Sequence, residues 1–530
     1  MTRRIRALVL TLLASALPVS AAAPEPGELF ADSVDVRLVN IEVFVTGPDG
    51  KRVTGLTRDD FEVFEDGRRV EITHFYAAEP APRASEPLRP APVPEAERLQ
   101  LAVYFDTEDL PERAIPRIIH AVEEFVASRA RPDLRPDERV IVAHYHGADS
   151  LAVREVPVNR PALSAALSEM ARVPQGASLS GLVSRFGSRG TSDRAVAEMN
   201  TQSEALRRRG QAKSAFDALD RFVTALGSLP GRKALVYVSG KVSFSPGQSL
   251  FTVFENKLGL SVRQGAMRPL VKRLEDTVNS DRIAFYGLGA RNTRATSISA
   301  GAYEPKRLEI PKPGEDIVDI GRDLIDANPA ASLAWVGEDL DSYYSLGYTP
   351  DRRPDGKRHR VEVRVKRRGL DVRHLESYRD RTPADRAEAR TLASLLLGGG
   401  ENPLGLIFQF GPAEAAGKEG VMVPLTLRLP LARLALLPGP GGAPEGRLSV
   451  VITVRDDQGR MAEPTRLTLP VRPGGETPAG QQMSFTTPLL MRPIPHTVVI
   501  GVRDELGNTL STVTAEYNPA TGRPLEDDPK

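Results

Sequence analysis

The feature that most constrains this sequence is a series of short apolar runs separated by segments with helical spacing. Residues 99–105 are almost uninterrupted apolar sequence that stops at Asp106, as expected of a strand buried on both faces of a parallel sheet. Similar runs follow at residues 139–145, 234–238 and 283–288. Apolar stripes with a helical repeat lie between them, for example at 115–125. The pattern predicts an α/β fold with a doubly wound, mostly parallel sheet of the Rossmann-like type.

The sequence on either side of this region predicts β-structure. Residues 34–45, 61–65 and 360–366 alternate between apolar and polar side chains, which places the apolar ones on one face of a strand. In the C-terminal part, residues 452–459 are echoed by 500–507, each a strand that ends in an Asp/Gly turn. These segments predict a small N-terminal β-domain and a C-terminal immunoglobulin-like β-sandwich flanking the α/β domain.

The amino terminus has the order of a secretory signal peptide. Arg3, Arg4 and Arg6 precede an apolar run at 7–17 and a small-residue stretch at 20–23. The run is shorter than the roughly 20 residues needed to cross a bilayer. We therefore expect cleavage between Ala21 and Ala23 and an exported mature chain, periplasmic or secreted, with no membrane span.

Composition narrows the classes of function. The chain has no cysteine, so disulfides, thiolate metal sites and a cysteine nucleophile are excluded, and stability must come from buried apolar surface. Lys and Arg total 70 against 69 Asp and Glu. This balance disfavours general binding to nucleic acid or to an anionic membrane.

The predicted organisation follows from these shifts in pattern. It comprises a signal peptide at 1–23, an N-terminal β-domain at 30–78, a Pro-rich linker at 79–98, an α/β domain at 99–350 with a mobile insertion at about 175–209, a β-hairpin extension at 351–380, a helical or loop linker at 381–419 and a C-terminal β-sandwich at 420–520. Two arrangements of the N-terminal strands fit the sequence. They form a separate domain, or they join the strand at 360–366 in one sandwich and leave the α/β domain as an insertion.

Three separated phrases resemble a known family. They read DDFEVFEDG at 59–67, LPGRKALVYVS at 229–239 and YYSLGY at 343–348. In this order they are similar to phrases of the acidobacterial-type von Willebrand factor A (VWA) domain proteins, and the resemblance covers roughly residues 32–380. It implies a central sheet between helices and a role in protein binding or cell adhesion.

The resemblance also raises the question of a metal. VWA domains that bind ligands through a divalent cation carry a D-x-S-x-S loop after the first strand, but here Glu108 and Leu110 stand where the serines belong. The later strand is followed by Lys241 with no nearby acidic residue. We therefore expect no cofactor. If Mg²⁺ binds, Asp106 and Glu108 are its first ligands; in the metal-free alternative, Asp106 caps the following helix.

Other candidate sites are weaker. His144 and His146 share a strand face and together suggest a metal pair, but a third ligand has no defined place beside them. The segment 227–233 lacks the G-K-[ST] ending of a phosphate loop, and no G-x-S-x-G elbow is present. The basic segment 352–368 suggests either a polyanion-binding face or charged protection of an exposed strand.

These observations predict a non-enzymatic envelope protein that binds a protein partner. Its binding surface would lie at the carboxyl edge of the sheet, where loops from different strands converge. The predicted ligand-binding rim consists of Asp106, Thr107, Glu108, Asp109, Ser239 and Lys241. Two alternatives remain open: an envelope enzyme with its site in the 175–209 insertion or between domains, and a structural spacer.

Overall fold

The computed structural model describes residues 38–78, 94–107, 110, 114–129, 139–147, 150–158, 160–172, 194–239, 268–289, 323–325, 329–417, 420–439, 442–473 and 480–524. They all belong to one compact unit, Asp35–Lys530. The second unit, Met1–Val34, lies outside the described residues and contains the predicted signal peptide at 1–23.

Six helices and twenty-four strands are described. The helices are α1 (Ile115–Arg129), α2 (Arg160–Arg172), α3 (Arg194–Gly227), α4 (Arg268–Ser280), α5 (Pro329–Asp341) and α6 (Pro383–Leu397). The strands are β1 (Val39–Thr46), β2 (Phe61–Glu65), β3 (Arg68–Val70), β4 (His74–Ala78), β5 (Leu99–Asp106), β6 (Arg139–Tyr145), β7 (Leu151–Pro157), β8 (Arg232–Ser239), β9 (Ile283–Gly289), β10 (Asp323–Ile325), β11 (Tyr343–Tyr348), β12 (Arg358–Val365), β13 (Asp371–His374), β14 (Ser377–Arg379), β15 (Ile407–Phe410), β16 (Glu414–Ala416), β17 (Gly420–Pro430), β18 (Leu437–Pro438), β19 (Pro444–Asp456), β20 (Thr465–Val471), β21 (Gln482–Met491), β22 (His496–Asp504), β23 (Thr509–Asn518) and β24 (Arg523–Pro524).

Two four-stranded antiparallel sheets form a β-sandwich, called the first sandwich, which contains strands from the start and from the middle of the chain. One antiparallel sheet has the order β13-β1-β11-β4 and the other the order β14-β12-β2-β3. The register pairs Ile41 with Leu346 in the first sheet and Val63 with Val363 in the second. Alternate apolar residues of both sheets form one core, so the N-terminal strands and the strand at 358–365 belong to the same sandwich, and β5 to β10 lie between its two halves in the sequence.

The second body is a mixed sheet in the order β10-β9-β8-β5-β6-β7. Its neighbouring strands are parallel except for the edge strand β7, which is antiparallel to β6. The apolar runs predicted at 99–105, 139–145, 234–238 and 283–288 are confirmed as strands within it. Helices α1, α2 and α5 cover one face and α3, α4 and α6 the other. Gly231 makes the tight turn into β8, where a Cβ atom would collide with the carbonyl of Arg98.

The C-terminal body consists of two antiparallel sheets around one core. One contains β15, β17, β16 and β21, and the other contains β18, β19, β20, β22, β23 and β24. The echoed segments at 452–459 and 500–507 lie on β19 and β22 and the turns that follow, and these two strands pair with each other. Their matching aspartates close similar turns: Asp456 accepts from Gln458 N and Asp504 from Leu506 N.

The fold class predicted for the chain is wrong. Strands outnumber helices by twenty-four to six in the described part of the chain, and four of the five described sheets are antiparallel. The chain is mostly β rather than an α/β protein built on a doubly wound parallel sheet of the VWA or Rossmann-like type. Most of the described strands lie in the segments on either side of β5 to β10, including those with alternating apolar and polar residues. Strand β11, assigned to the end of the α/β domain, instead pairs antiparallel with β1 and β4.

Helix α6 packs between the mixed sheet with its helices and the C-terminal body. It lies in the predicted linker at 381–419, and its amino end is a capping box in which Thr382 and Asp385 satisfy each other's backbone N–H groups. Its apolar residues share a core with α3 and with Val499 of β22. Residues 194–209, predicted as part of a mobile insertion, form the first half of α3; residues 175–193 lie outside the described part.

Candidate functional site

The predicted rim lies where β5, β6 and β8 end side by side. The register places Asp106 next to Tyr145 on one side and Ser239 on the other. Asp106, Thr107 and Ser239 are all buried. Glu108, Asp109 and Lys241 lie outside the described residues, so the structure shows half of the predicted rim.

Two of the described rim residues, Asp106 and Thr107, are hydrogen-bonded to their neighbours. The hydroxyl of Tyr237 donates to Asp106 Oδ2 at 2.6 Å. The hydroxyl of Thr107 donates to the carbonyl of Tyr145 at 3.1 Å, and His144 Nε2 lies 2.8 Å from Thr107 Oγ1. Helix α1 begins at Ile115, too far along the chain for Asp106 to be its N-cap. Among the described residues, the rim therefore offers a buried polar cluster and no exposed binding surface.

The histidines of this cluster are neutral at physiological pH. Burial, reinforced by the nearby His146, lowers the pKa of His144 to about 4. Burial also lowers the pKa of His146, whose Nε2 lies 2.9 Å from Ser150 Oγ. Neither histidine belongs to a described group of three side chains able to share an ion. Glu108 lies outside the described residues, so the expectation that this loop holds no cofactor and the alternative of Mg²⁺ at Asp106 and Glu108 both stay predictions.

Asp355, His359 and Asp380 are the one described group whose ligand atoms could share a cation, since they lie within 4.8 Å of one another. His359 Nδ1 is 2.7 Å from Asp66 Oδ2, and its Nε2 is 3.1 Å from Asp355 Oδ1. An imidazolium ring donates to both carboxylates, whereas a neutral ring donates to one. Arg352 Nη2 lies 3.5 Å from Asp380 Oδ2. Arg352 already supplies a positive charge beside Asp380, and we assign no metal to this group.

The basic segment 352–368 is largely engaged within the protein. Arg352 binds Glu65, Arg358 pairs with Asp276, and Arg367 pairs with Asp60. The pair of Arg358 and Asp276 joins β12 to α4, and the other two connect the segments that flank β12 to Glu65 at the end of β2 and to Asp60 just before it. They favour the interpretation of this charge as structural.

A cleft of about 250 Å³ lies at the opposite, amino edge of the mixed sheet. Its walls come from β1, from the carboxyl ends of α3 and α4, from β14 and from α6. The described lining residues are Leu38, Val39, Asn40, Ile41, Gly227, Ser228, Asn279, Ser280, Asp281, Arg282, Val361, Leu375, Tyr378, Arg379, Arg381, Arg386, Ala389 and Arg390. The sequence does not predict this site, because residues from five separate segments of the chain form it.

The lining of the cleft is strongly cationic. Five of its described residues are arginines and one, Asp281, is acidic. Three arginines have carboxylate partners: Arg381 with Asp281 at 2.9 Å, Arg379 with Asp385 at 3.6 Å and Arg282 with Glu42 at 3.6 Å.

Two further arginines of the lining lie on α6. Arg386 and Arg390 are four residues apart, so they occupy one helix face, where like charges repel. Arg390 is exposed and has no acidic partner among the described residues. Arg386 donates to the carbonyl of Arg381 at 3.1 Å. The spacing of Arg386 and Arg390 behind the Thr382 capping box is the one signal of this site that the sequence alone contains.

Burial shifts the pKa of Asp281, which lines the cleft, and that of Lys233, which interacts electrostatically with it. Desolvation raises the pKa of Asp281, against the effect of Arg381 and Lys233. Desolvation lowers the pKa of Lys233 to about 8. Gly227 allows the Asp281 carboxylate to approach, because a Cβ atom at position 227 would collide with it. The amide of Asn279 is buried, and its Oδ1 has no hydrogen-bond partner among the described residues.

The fold and the cleft define a mostly β protein with a cationic site. No family model matches the sequence, and no curated protein matches it. The resemblance to VWA-domain proteins therefore stays a prediction. None of the described helices has the length and hydropathy needed to cross a membrane.

Likenesses among solved structures are slight. A β-glucuronidase from Bacteroides uniformis is 10% identical over 36% of this chain and 20% of its own, with a TM-score of 0.16. The putative ApaA protein from Bordetella pertussis is 15% identical over 22% of this chain and 94% of its own, with a TM-score of 0.13. The pilus adhesin SpaC from Lactobacillus rhamnosus GG is 8% identical over 87% of this chain and 69% of its own, with a TM-score of 0.24. The chain thus spans about a fifth of the glucuronidase, and likenesses this weak carry no argument about function.

Proposed function

We propose that this chain is a non-catalytic binding protein that holds an anionic group of its partner in the arginine-lined cleft. The observation that carries the proposal is Arg390, whose exposed side chain lines the cleft and has no acidic partner among the described residues. The other described charges of the lining add to a positive total, and an anion bound there gains a charge-assisted hydrogen bond from Arg390.

The lining also favours binding over catalysis. Hydrolysis by a serine would need a base within hydrogen-bond reach, and no histidine is among the described lining residues. The two serine hydroxyls already donate to helix carbonyls, Ser228 to Ala225 at 2.8 Å and Ser280 to Asp276 at 2.5 Å. Export of the chain and a protein partner, both expected from the sequence, are parts of this proposal.

Calorimetric titration of the full chain with inorganic phosphate and with acetate tests the proposal. We expect both anions to bind at low ionic strength and binding to weaken as salt is added. Arg390→Gln keeps most of the side chain and removes the charge. It should weaken binding by about ten- to a hundredfold, because a hydrogen bond to a charged group contributes about 1.5–3 kcal/mol.

Arg428→Gln is the matched control, because Arg428 is also exposed but lies on β17, away from the cleft. It should bind both anions as the unmodified chain does. Equal affinities of the Arg390→Gln and Arg428→Gln variants, or the absence of any binding heat, would refute the proposed site. Chemical conversion of a bound ligand during titration would contradict its non-catalytic character.

A further inference from the structure

Strand β21 lies at a free edge of the C-terminal body. Among the described strands it pairs with β17 alone, along its whole length. Strands β15 and β16 occupy the other side of β17, where Gly411 N donates to the carbonyl of Pro424 at 2.7 Å. Pro424 lies opposite Pro488 in the register. Because opposite residues of an antiparallel pair exchange both hydrogen bonds or none, the backbone of Pro488 faces away from β17.

The free edge therefore presents the backbone groups of every second residue of β21. These residues are Gln482, Ser484, Thr486, Pro488 and Leu490, and all their side chains are exposed. Proline has no N–H, so four of the five offer a donor. No backbone hydrogen bond from elsewhere in the described residues reaches this edge. At its end, Leu490 is 69% exposed.

The edge of β21 lacks the charges that protect the other long edge strands. The seven-residue edge strand β7 carries Arg154 and Glu155, and β20, which is equally long, carries Arg466. Strand β21 has ten residues and no charged side chain. An unpaired edge is a template for another strand, and charged side chains normally prevent that pairing. This edge therefore favours an extended, uncharged partner.

A second copy of β21 meets these requirements in one register. When two copies run antiparallel with Thr486 opposite Thr486, Ser484 lies opposite Pro488 and Gln482 lies opposite Leu490. Each of the four N–H donors then faces a carbonyl, and the missing donor of Pro488 costs only one bond at each end. No charges meet, and a Thr–Thr pair is a favourable cross-strand contact.

We infer that the chain forms a twofold symmetric dimer in which the β21 strands of two copies pair about Thr486. The sheet then continues from β17 and β21 of one copy into β21 and β17 of the other. The partly exposed Met483 and Phe485, on the inner face of β21, gain neighbours from the second copy. No described residue of the cleft lies on β21, so this dimer is independent of the proposed anion site.

Sedimentation equilibrium of the full chain at about 1 μM to 1 mM tests the dimer. We expect the mass to approach twice that of one chain as the concentration rises. Thr486→Lys should keep the mass of one chain, because two like charges meet at the twofold axis. An equal mixture of Thr486→Lys and Thr486→Glu should regain the doubled mass, because opposite charges then meet there.

Thr426→Lys is the matched control. Thr426 Oγ1 and Thr486 Oγ1 are 2.9 Å apart, so both lysine variants lose the same hydrogen bond. Position 426, however, lies on β17, one strand away from the edge. Thr426→Lys should therefore dimerise as the unmodified chain does, and so should Arg390→Gln, whose defect is confined to the cleft.

Hydrogen exchange on the unmodified chain tests the same edge without a variant. The outward amides of β21 should exchange more slowly as the concentration rises, whereas those of β20 should not change. A mass of one chain throughout overturns the dimer, and protection of these amides in that monomer would mean that another segment of the chain covers the edge. A dimer that both lysine variants retain, or that both lose equally, overturns the β21 interface. A mixture of the two Thr486 variants that stays monomeric overturns the register.

Discussion

His144 makes the stability of the protein depend on pH in a defined window. Its folded-state pKa is lowered from 6.5 to about 4 by burial, so the folded state keeps the ring neutral where the unfolded chain takes up a proton. The contribution is fully present above pH 6.5. It should be lost as the pH falls from 6.5 to about 4, by roughly 3 kcal/mol at 1.36 kcal/mol per unit.

Urea unfolding at a series of pH values measures this loss. His144→Gln retains a donor near Thr107 Oγ1 and removes the titration, so the free energy of unfolding of this variant should fall less between pH 6.5 and 4. His120→Gln is the control, because His120 is exposed on α1. A decline in His144→Gln as steep as that of the unmodified chain would argue against the buried neutral ring.

Glu65 depends on Arg352 to remain charged inside the first sandwich. Burial opposes its ionisation, but hydrogen bonds from Arg352, Tyr378 and Tyr348 lower its pKa overall. Arg352→Met would leave the carboxylate without its cation and should reduce the free energy of unfolding by about 3 kcal/mol. Arg368→Met, an exposed position of the same basic segment, should change it little. Thermal unfolding of both single variants, and of the double variant that combines Arg352→Met with Glu65→Gln, measures these effects. The double variant should recover part of the stability that Arg352→Met loses. Equal losses in Arg352→Met and Arg368→Met would contradict the ion pair.

At the scale of elements, the sequence predicts the strands better than their partners. Strands β5, β6, β8 and β9 were found because strands buried on both faces are continuous apolar runs. Strand β11 has the same apolar character, but its tyrosines pack in the core of an antiparallel sandwich. Periodicity reports which faces of a segment are buried and not which segment covers them. The predicted α/β fold class is therefore wrong, although most of the strands on which the prediction was based are present.

The same reason explains which site residues could be predicted. Asp106 and Ser239 end strands that adjoin in the sheet, so position along the chain was enough to place them together. Asn279, Arg379 and Arg390 come from separate elements whose packing is decided by long-range contacts. A pair of arginines on one helix face was visible in the sequence, but the opposite wall of the cleft was not.

The packing of α6 on β22 depends on one glycine. A Cβ atom at Gly501 would collide with the side chain of Thr391, which is fully buried on α6. Gly501→Ala should therefore lower the free energy of unfolding by about 1–3 kcal/mol, the usual cost of overpacking. Adding Thr391→Ala should restore much of this loss. Strictly additive losses in urea unfolding of the single and double variants would show that the two residues do not meet.

At the scale of the whole molecule, buried charge couples the first sandwich to the mixed sheet. Arg232 at the start of β8 is 1% exposed. It forms an ion pair with Glu42 of β1 at 3.0 Å and donates to the carbonyl of Leu340 at 2.8 Å. Its guanidinium also lies 3.8 Å from the centre of the Tyr343 ring. Glu42 in turn approaches Arg282, which lines the cleft.

Breaking this ion pair should therefore affect both stability and binding. Arg232→Met leaves the partly buried Glu42 without its nearest cation, and removing one partner of a buried ion pair typically costs about 3–5 kcal/mol. Because Glu42 would then be free to draw Arg282 away from the cleft, phosphate affinity should also fall, although Arg232 itself is not among the described lining residues. Combining Arg232→Met with Glu42→Leu removes both charges and should recover most of the stability. Urea unfolding and calorimetry on the single and double variants measure the two effects. Unchanged phosphate affinity in a folded Arg232→Met variant would mean that the network holds the two bodies together without shaping the cleft.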